Sequence, residues 1–176
     1  MREKWPGRRK RRDYGVTVEE ITRRGTAEFG PSFAALKDAV RRACAGGEDW
    51  EARIVAAIGA VVEFALEEPA AARALTVCAG AQATDGTDPE GEMLAYFAAL
   101  LADVAPDEML FPISSAAGIV ETAAVLIRGH LLAGRSERIG ELGPELVYLA
   151  LMPYVGLDCA RQWASTFPPV GVSKVR

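Results

Sequence analysis

The chain has 176 residues, of which half are hydrophobic, a quarter are charged and only 7% are aromatic, with a formal net charge of −4. That make-up fits one globular domain with at most a small appendage and excludes a disordered chain. Abundant alanine beside few aromatic residues suits closely packed helices better than a β-sandwich.

No uncharged stretch approaches the roughly 18–20 residues of a membrane span, because Pro112 and Pro153 interrupt the longest apolar runs, Met109–Val120 and Leu146–Leu157. The basic N-terminus is followed by polar and charged residues, not by the apolar core of a secretory signal. Cys44, Cys78 and Cys159 lie far apart beside a single histidine, His130. The expectation is a reduced, cytoplasmic protein with no metal, no cofactor and no membrane association.

Residues 1–12 carry seven basic side chains against one acidic one, giving +6 and leaving −10 for the remainder. A basic arm on an acidic body is the footprint of a nucleic-acid tether, since Lys and Arg displace counterions from phosphate. It is equally the footprint of a solvated tail.

The elements that follow are helical. Thr17–Arg24 opens with a capping box of Thr17 and Glu20, and Gly25 is a natural stop. Pro31-Ser32 leads into a second helix with Phe33, Leu36, Val40 and Cys44 along one side, ending at Gly46-Gly47. Asp49 caps a third, in which Trp50, Ile54, Ile58, Val61, Val62, Ala65 and Leu66 share one face. Pro69 ends it and starts a short helix running to about Ala79. A polar loop, 80–87, precedes a helix from Asp88-Pro89 with Met93, Leu94, Phe97, Leu100, Leu101 and Val104 in register.

After a break at Pro106–Pro112 comes Ile113–Ala133, in which only Glu121 and Arg128 are charged. A helix so nearly apolar all round requires cover on almost every side, and its alanines and glycines allow close approach by neighbours. Gly134–Gly143 is a connector with room for a short turn. Pro144–Val155 and Asp158–Thr166 close the chain before a tail from Pro168. The expected fold is all-α.

Several catalytic patterns are missing: the phosphate-binding glycine loop, G-x-G-x-x-G, G-x-S-x-G and H-E-x-x-H. His130 has no serine at a useful spacing and reads as a core histidine or a polar anchor in a ligand pocket. Adjacent glutamates at 19–20 and 67–68 sit at helix ends, where dipole and solvent account for them. The expectation is that the chain is not an enzyme.

Residues 15–24 (GVTVEEITRR) resemble the second helix of the DNA-binding domain in TetR-family transcriptional regulators. Residues 48–53 (EDWEAR) and 64–69 (FALEEP) resemble the opening of that family's ligand-binding domain, and residues 144–156 (PELVYLALMPYVG) its closing helix. The likeness spans roughly residues 45–165 in order and spacing. It implies a helical bundle of the TetR C-terminal-domain type over 46–167. A shortened, degenerate helix-turn-helix region would occupy 14–45, with a basic flexible arm at 1–13 and a tail at 168–176.

The resemblance implies a homodimer that encloses a small, largely apolar effector and pairs through Ile113–Ala133 and Pro144–Val155 in a four-helix bundle. Pairing residues on this reading are Ile119, Ala123, Leu131, Leu146, Tyr148, Leu151 and Tyr154. Pocket residues are Phe64, Cys78, Met93, Phe97, Met109, Phe111 and Leu126, with His130 as a polar contact; ordinary core packing is the competing explanation for each. DNA contacts fall to Arg8, Arg9, Lys10, Arg11 and Arg12 of the arm and to Thr17, Arg23, Arg24 and Thr26.

The N-terminal third departs from the family. Only Thr26–Phe29 separates Gly25 from Gly30-Pro31, and four helical residues rise about 6 Å, too little for a recognition helix in a major groove. A basic arm alone supplies the salt-sensitive, sequence-blind part of binding, with a slope near −6 in log K against log salt for seven phosphate contacts. Sequence-specific DNA binding is therefore expected to be impaired. The alternative is a stand-alone ligand-binding and dimerisation module that heterodimerises with a full-length relative.

Overall fold

The computed structural model describes the backbone of residues 18–46, 49–78, 88–103 and 114–170. These form an all-α arrangement of seven helices, without a strand among the described residues. They are α1 (Val18–Cys44), α2 (Trp50–Glu67), α3 (Pro69–Arg73), α4 (Pro89–Asp103), α5 (Ser114–Leu132), α6 (Gly143–Val155) and α7 (Leu157–Thr166). A π-helical turn, Ala74–Cys78, continues α3, and a 3₁₀ turn, Ser136–Leu142, joins α5 to α6. No described helix is long and apolar enough to cross a membrane.

The expected break at Gly25–Pro31 is corrected by the structure, because α1 runs unbroken through both. The physical reason lies on its inner face. Phe29, Phe33, Leu36 and Val40 repeat at helical spacing and are all buried, against Leu75 and Met93. Continuity of that stripe outweighs the interior-proline cost of about 3 kcal/mol. Pro31 is on the exposed side, where water can serve the Ala27 carbonyl that its missing N–H leaves unpaired. The second half of α1 thus packs with the body of the protein and not in a separate region.

Elsewhere the local signals place the ends. Asp49 precedes α2 in extended conformation but makes no side-chain cap bond. Asp88 does cap α4, its Oδ1 accepting from the Gly91 amide at 2.8 Å. Gly134 ends α5 at φ +67° and Gly156 separates α6 from α7 at φ +80°, left-handed backbone that costs glycine nothing. Gly143 answers a different need: Phe167 packs so closely on it that a Cβ would fall within the ring.

The core divides into three clusters. One joins Ile54, Leu101, Val147, Leu151, Ala160 and Phe167, tying α7 to α2 and α6. A second joins Val62, Ala65, Ile127, Leu131, Ile139 and Leu146. The third is the α1 stripe with Leu75 and Met93, edged by Tyr96 and Phe97. At its rim the Lys37 ammonium lies 4.4 Å from the Phe33 ring centroid and 5.6 Å from that of Tyr96, a cation–π contact.

Candidate ligand cavity and helix face

Where the three clusters meet they do not merge, and a cavity of about 150 Å³ remains between them. Its wall draws on α1 through Leu36, on the π-helical turn through Leu75 and Thr76, and on α2, α3, α4, α5 and α6. Six lining residues are alanine: Ala57, Ala65, Ala72, Ala123, Ala124 and Ala150. Small side chains on the inward faces of diverging helices leave the gap. An apolar space of this volume matches a guest of about the size of benzene.

Among the described residues no charged side chain lines the cavity, and Thr76 is its one polar side chain. The Thr76 hydroxyl donates to the Ala72 carbonyl oxygen at 2.8 Å, so its proton is already committed. Thr76 also lies within the π-helical turn, a rare geometry that recurs at functional sites. An ionised guest would lose its hydration and find no counter-charge, at a cost of several kcal/mol. The chemistry that fits is an uncharged, apolar molecule.

Polar anchors hold the surrounding helices outside the cavity. Arg128 on α5 pairs with Glu90 on α4 across a partly buried contact, and the Arg128 Nε has no partner among the described residues. Arg73 Nη2 donates to the Leu131 carbonyl oxygen at 3.2 Å, satisfying one free acceptor in the last turn of α5.

Of the pocket residues expected from sequence, Phe64, Met93 and Phe97 do line the cavity. Leu126 packs beside the second cluster and does not reach it. Nor does His130, whose Nδ1 lies 3.2 Å from the Leu126 carbonyl oxygen, a contact that requires the proton on Nδ1. Met109 and Phe111 lie outside the described residues, as does the side chain of Cys78. Sequence reasoning sought bulky side chains and so missed the alanines and Thr76; the alanine spacing on α2 and α5 was the available signal.

The residues expected to pair two copies separate into two groups. Leu131, Leu146 and Leu151 are 1%, 4% and 0% exposed and belong to the chain's own core. Ala123 faces the cavity, and Tyr148 is half-buried against the first cluster. Ile119 and Tyr154 line an open groove of about 630 Å³ between α5 and α6, and the Tyr154 ring meets Trp50 edge-on at 5.7 Å.

The exposed face of α5 consists of Gly118, Glu121, Thr122, Val125, Gly129 and Leu132. At 100° per residue these fall in one stripe about 100° wide. Val125 and Leu132 are 60% and 66% exposed. The Thr122 hydroxyl is spent on the Gly118 carbonyl at 2.7 Å, so Glu121 alone interrupts an otherwise apolar surface. The expected cover for this helix is therefore incomplete among the described residues.

For the DNA contacts expected from sequence, Arg23, Arg24 and Thr26 fall on the backbone of α1, while Thr17 and the arm residues Arg8, Arg9, Lys10, Arg11 and Arg12 lie outside the described residues. Compared with protein-family models, curated proteins and solved structures, the chain finds no match.

Proposed function

We propose that the chain is a TetR-like transcriptional regulator acting as a homodimer that takes a small, uncharged, largely apolar effector into its central cavity, with sequence-specific DNA binding impaired. The observation that carries this reading is an apolar cavity lined by helices of which one, α5, also bears an exposed apolar stripe. That stripe is self-complementary. An antiparallel crossing of two α5 helices about Val125 sets each Leu132 against the other copy's Gly118 and each Glu121 against Gly129. Large meets small on either side of the Val125 pair at the axis, the self-complementarity that a two-fold interface requires.

Effector control would then be linkage: a guest shifts the dimer between states by its differential affinity for them, and by no more. Impaired operator recognition is supported by the unbroken α1, since a helix-turn-helix needs a turn between its two helices and none occurs from Val18 to Cys44. The same observation favours the second reading, a ligand-binding module that heterodimerises with a full-length relative.

Sedimentation equilibrium and gel shifts test the proposal. Wild type should sediment as a dimer at micromolar concentration, and Val125→Arg as a folded monomer. Duplex DNA should be retained at low salt and released without sequence preference as salt rises. A monomeric wild type sinks the pairing; salt-resistant, sequence-selective binding sinks the impairment.

A further inference from the structure

Ile119 on α5 and Leu149 on α6 line both the central cavity and the α5–α6 groove. They form a wall one side chain thick between an internal space and the outer surface. Both are only half-buried, whereas Ala116, Val147, Ala150 and Leu151 beside them are closed off in the core. The groove also includes Gly118 and Thr122, two members of the exposed α5 stripe, so it is continuous with the face on which a second copy would sit.

From this geometry we infer that filling the cavity and pairing two copies are coupled through Ile119 and Leu149, a guest tightening the dimer. The inference rests on the pairing and effector reading above. With the cavity empty, the inner sides of these two residues lack partner atoms and forfeit dispersion contacts. Their packing is then one-sided: Ile119 rests on the first cluster, while the sides turned to the cavity stay free to shift. A guest restores those contacts and fixes the wall in its outward position. A second copy seated on the groove meets an ordered surface and pays less conformational entropy to bind.

The coupling must be reciprocal, so the dimer holds the guest more tightly than the monomer by the same factor. Its sign follows from the position of the wall. The guest pushes Ile119 and Leu149 toward the groove, where they meet the partner, and away from nothing the dimer uses. Among the described residues no charged side chain lines the cavity or the groove, so the coupling depends on apolar packing and is insensitive to salt.

The test uses the full chain with toluene as probe. Toluene binding is measured by calorimetry and dimer dissociation by sedimentation equilibrium, with and without saturating toluene. Dissociation should become roughly fivefold weaker or more with toluene bound, within the ordinary range of coupling between sites. Ile119→Ala and Leu149→Ala should each weaken toluene binding and pairing by themselves, and the ratio of dimer dissociation constants without and with saturating toluene should fall toward unity. Should either fail to fold, Ile119→Val, which trims one methyl, should show a partial reduction. A wild type that binds toluene and dimerises with one dissociation constant throughout overturns the coupling and leaves the pairing reading intact. Tightening that persists undiminished in Ile119→Ala and Leu149→Ala overturns the role of this wall. A wild type that never pairs, or never takes up toluene, overturns both the coupling and the reading beneath it.

Discussion

Leu151 is fully buried where α6 meets α2 and α7, and it shows how strongly one side chain binds this fold together. Leu151→Ala removes its contacts and leaves a hole that a close-packed cluster cannot fully collapse. A loss of about 2–5 kcal/mol is expected, read by urea denaturation. A loss below about 1 kcal/mol would mean that the first cluster is loosely packed. Two acids report on burial differently. Burial pushes the Cys44 thiol above its ordinary value of 9.0, against a smaller downward pull from Arg53. Burial likewise raises the Tyr154 phenol above 10.0. Both remain protonated in the fold after the unfolded chain has begun to release their protons. Their contribution to stability is therefore complete below about pH 9 and is lost as pH climbs through the raised values. Denaturation midpoints should fall from about pH 9 upward, and Cys44→Ala should flatten the start of that decline. An identical alkaline profile in wild type and variant would assign the decline to other groups.

At the scale of the element, α1 decides most. Its hydrophobic stripe holds helical geometry through Gly30-Pro31, so the proline is a local cost carried by packing farther along. Pro31→Ala restores the missing donor to the Ala27 carbonyl and removes the ring clash. The variant should gain about 1–3 kcal/mol against denaturation, less the few tenths to 1 kcal/mol by which a freer unfolded chain offsets it. A destabilised Pro31→Ala would mean that the proline sets a bend which the packing of α1 requires. The π-helical turn after α3 has another cause. Ala74, Leu75 and Thr76 are all buried, and a tighter α-helical spiral would carry one of them away from the core. Widening the turn keeps three consecutive residues inside, and the Thr76 hydroxyl serves the Ala72 carbonyl there.

For the whole molecule, the decisive feature is that the same two helices face inward and outward. α5 and α6 line the cavity, through Ile127 and Leu146 among others, and both also line the open groove. A chain with an apolar face of this kind gains stability from mass action when it pairs. The thermal midpoint should therefore rise with protein concentration in wild type and stay constant in Val125→Arg. Concentration-independent melting of wild type would show that the α5 stripe remains solvated. The Glu90–Arg128 pair between α4 and α5 keeps these helices in register beside the cavity, a polar tie next to a wall that is otherwise apolar.

The helices themselves were legible along the chain, because periodic apolar residues, prolines at first turns and glycines past last turns act within a few residues of one another. Asp88 before α4, Gly134 after α5 and Gly156 between α6 and α7 are such local signals, and α5 was recognisable as a helix in need of cover. Three things depended on contacts distant in sequence. The unbroken α1 required Leu75 and Met93 to sit opposite Phe29 and Phe33. The choice of Leu131, Leu146 and Leu151 for the interior, with Val125 and Leu132 left outside, required the rotation of α5 and α6 against α2. The cavity required seven elements to converge, four of them with alanines on their inner faces, and a void has no residue of its own to announce it. Local chemistry determines where a helix begins and ends; only the packing of helices on one another determines which side is in, and what space is left between them.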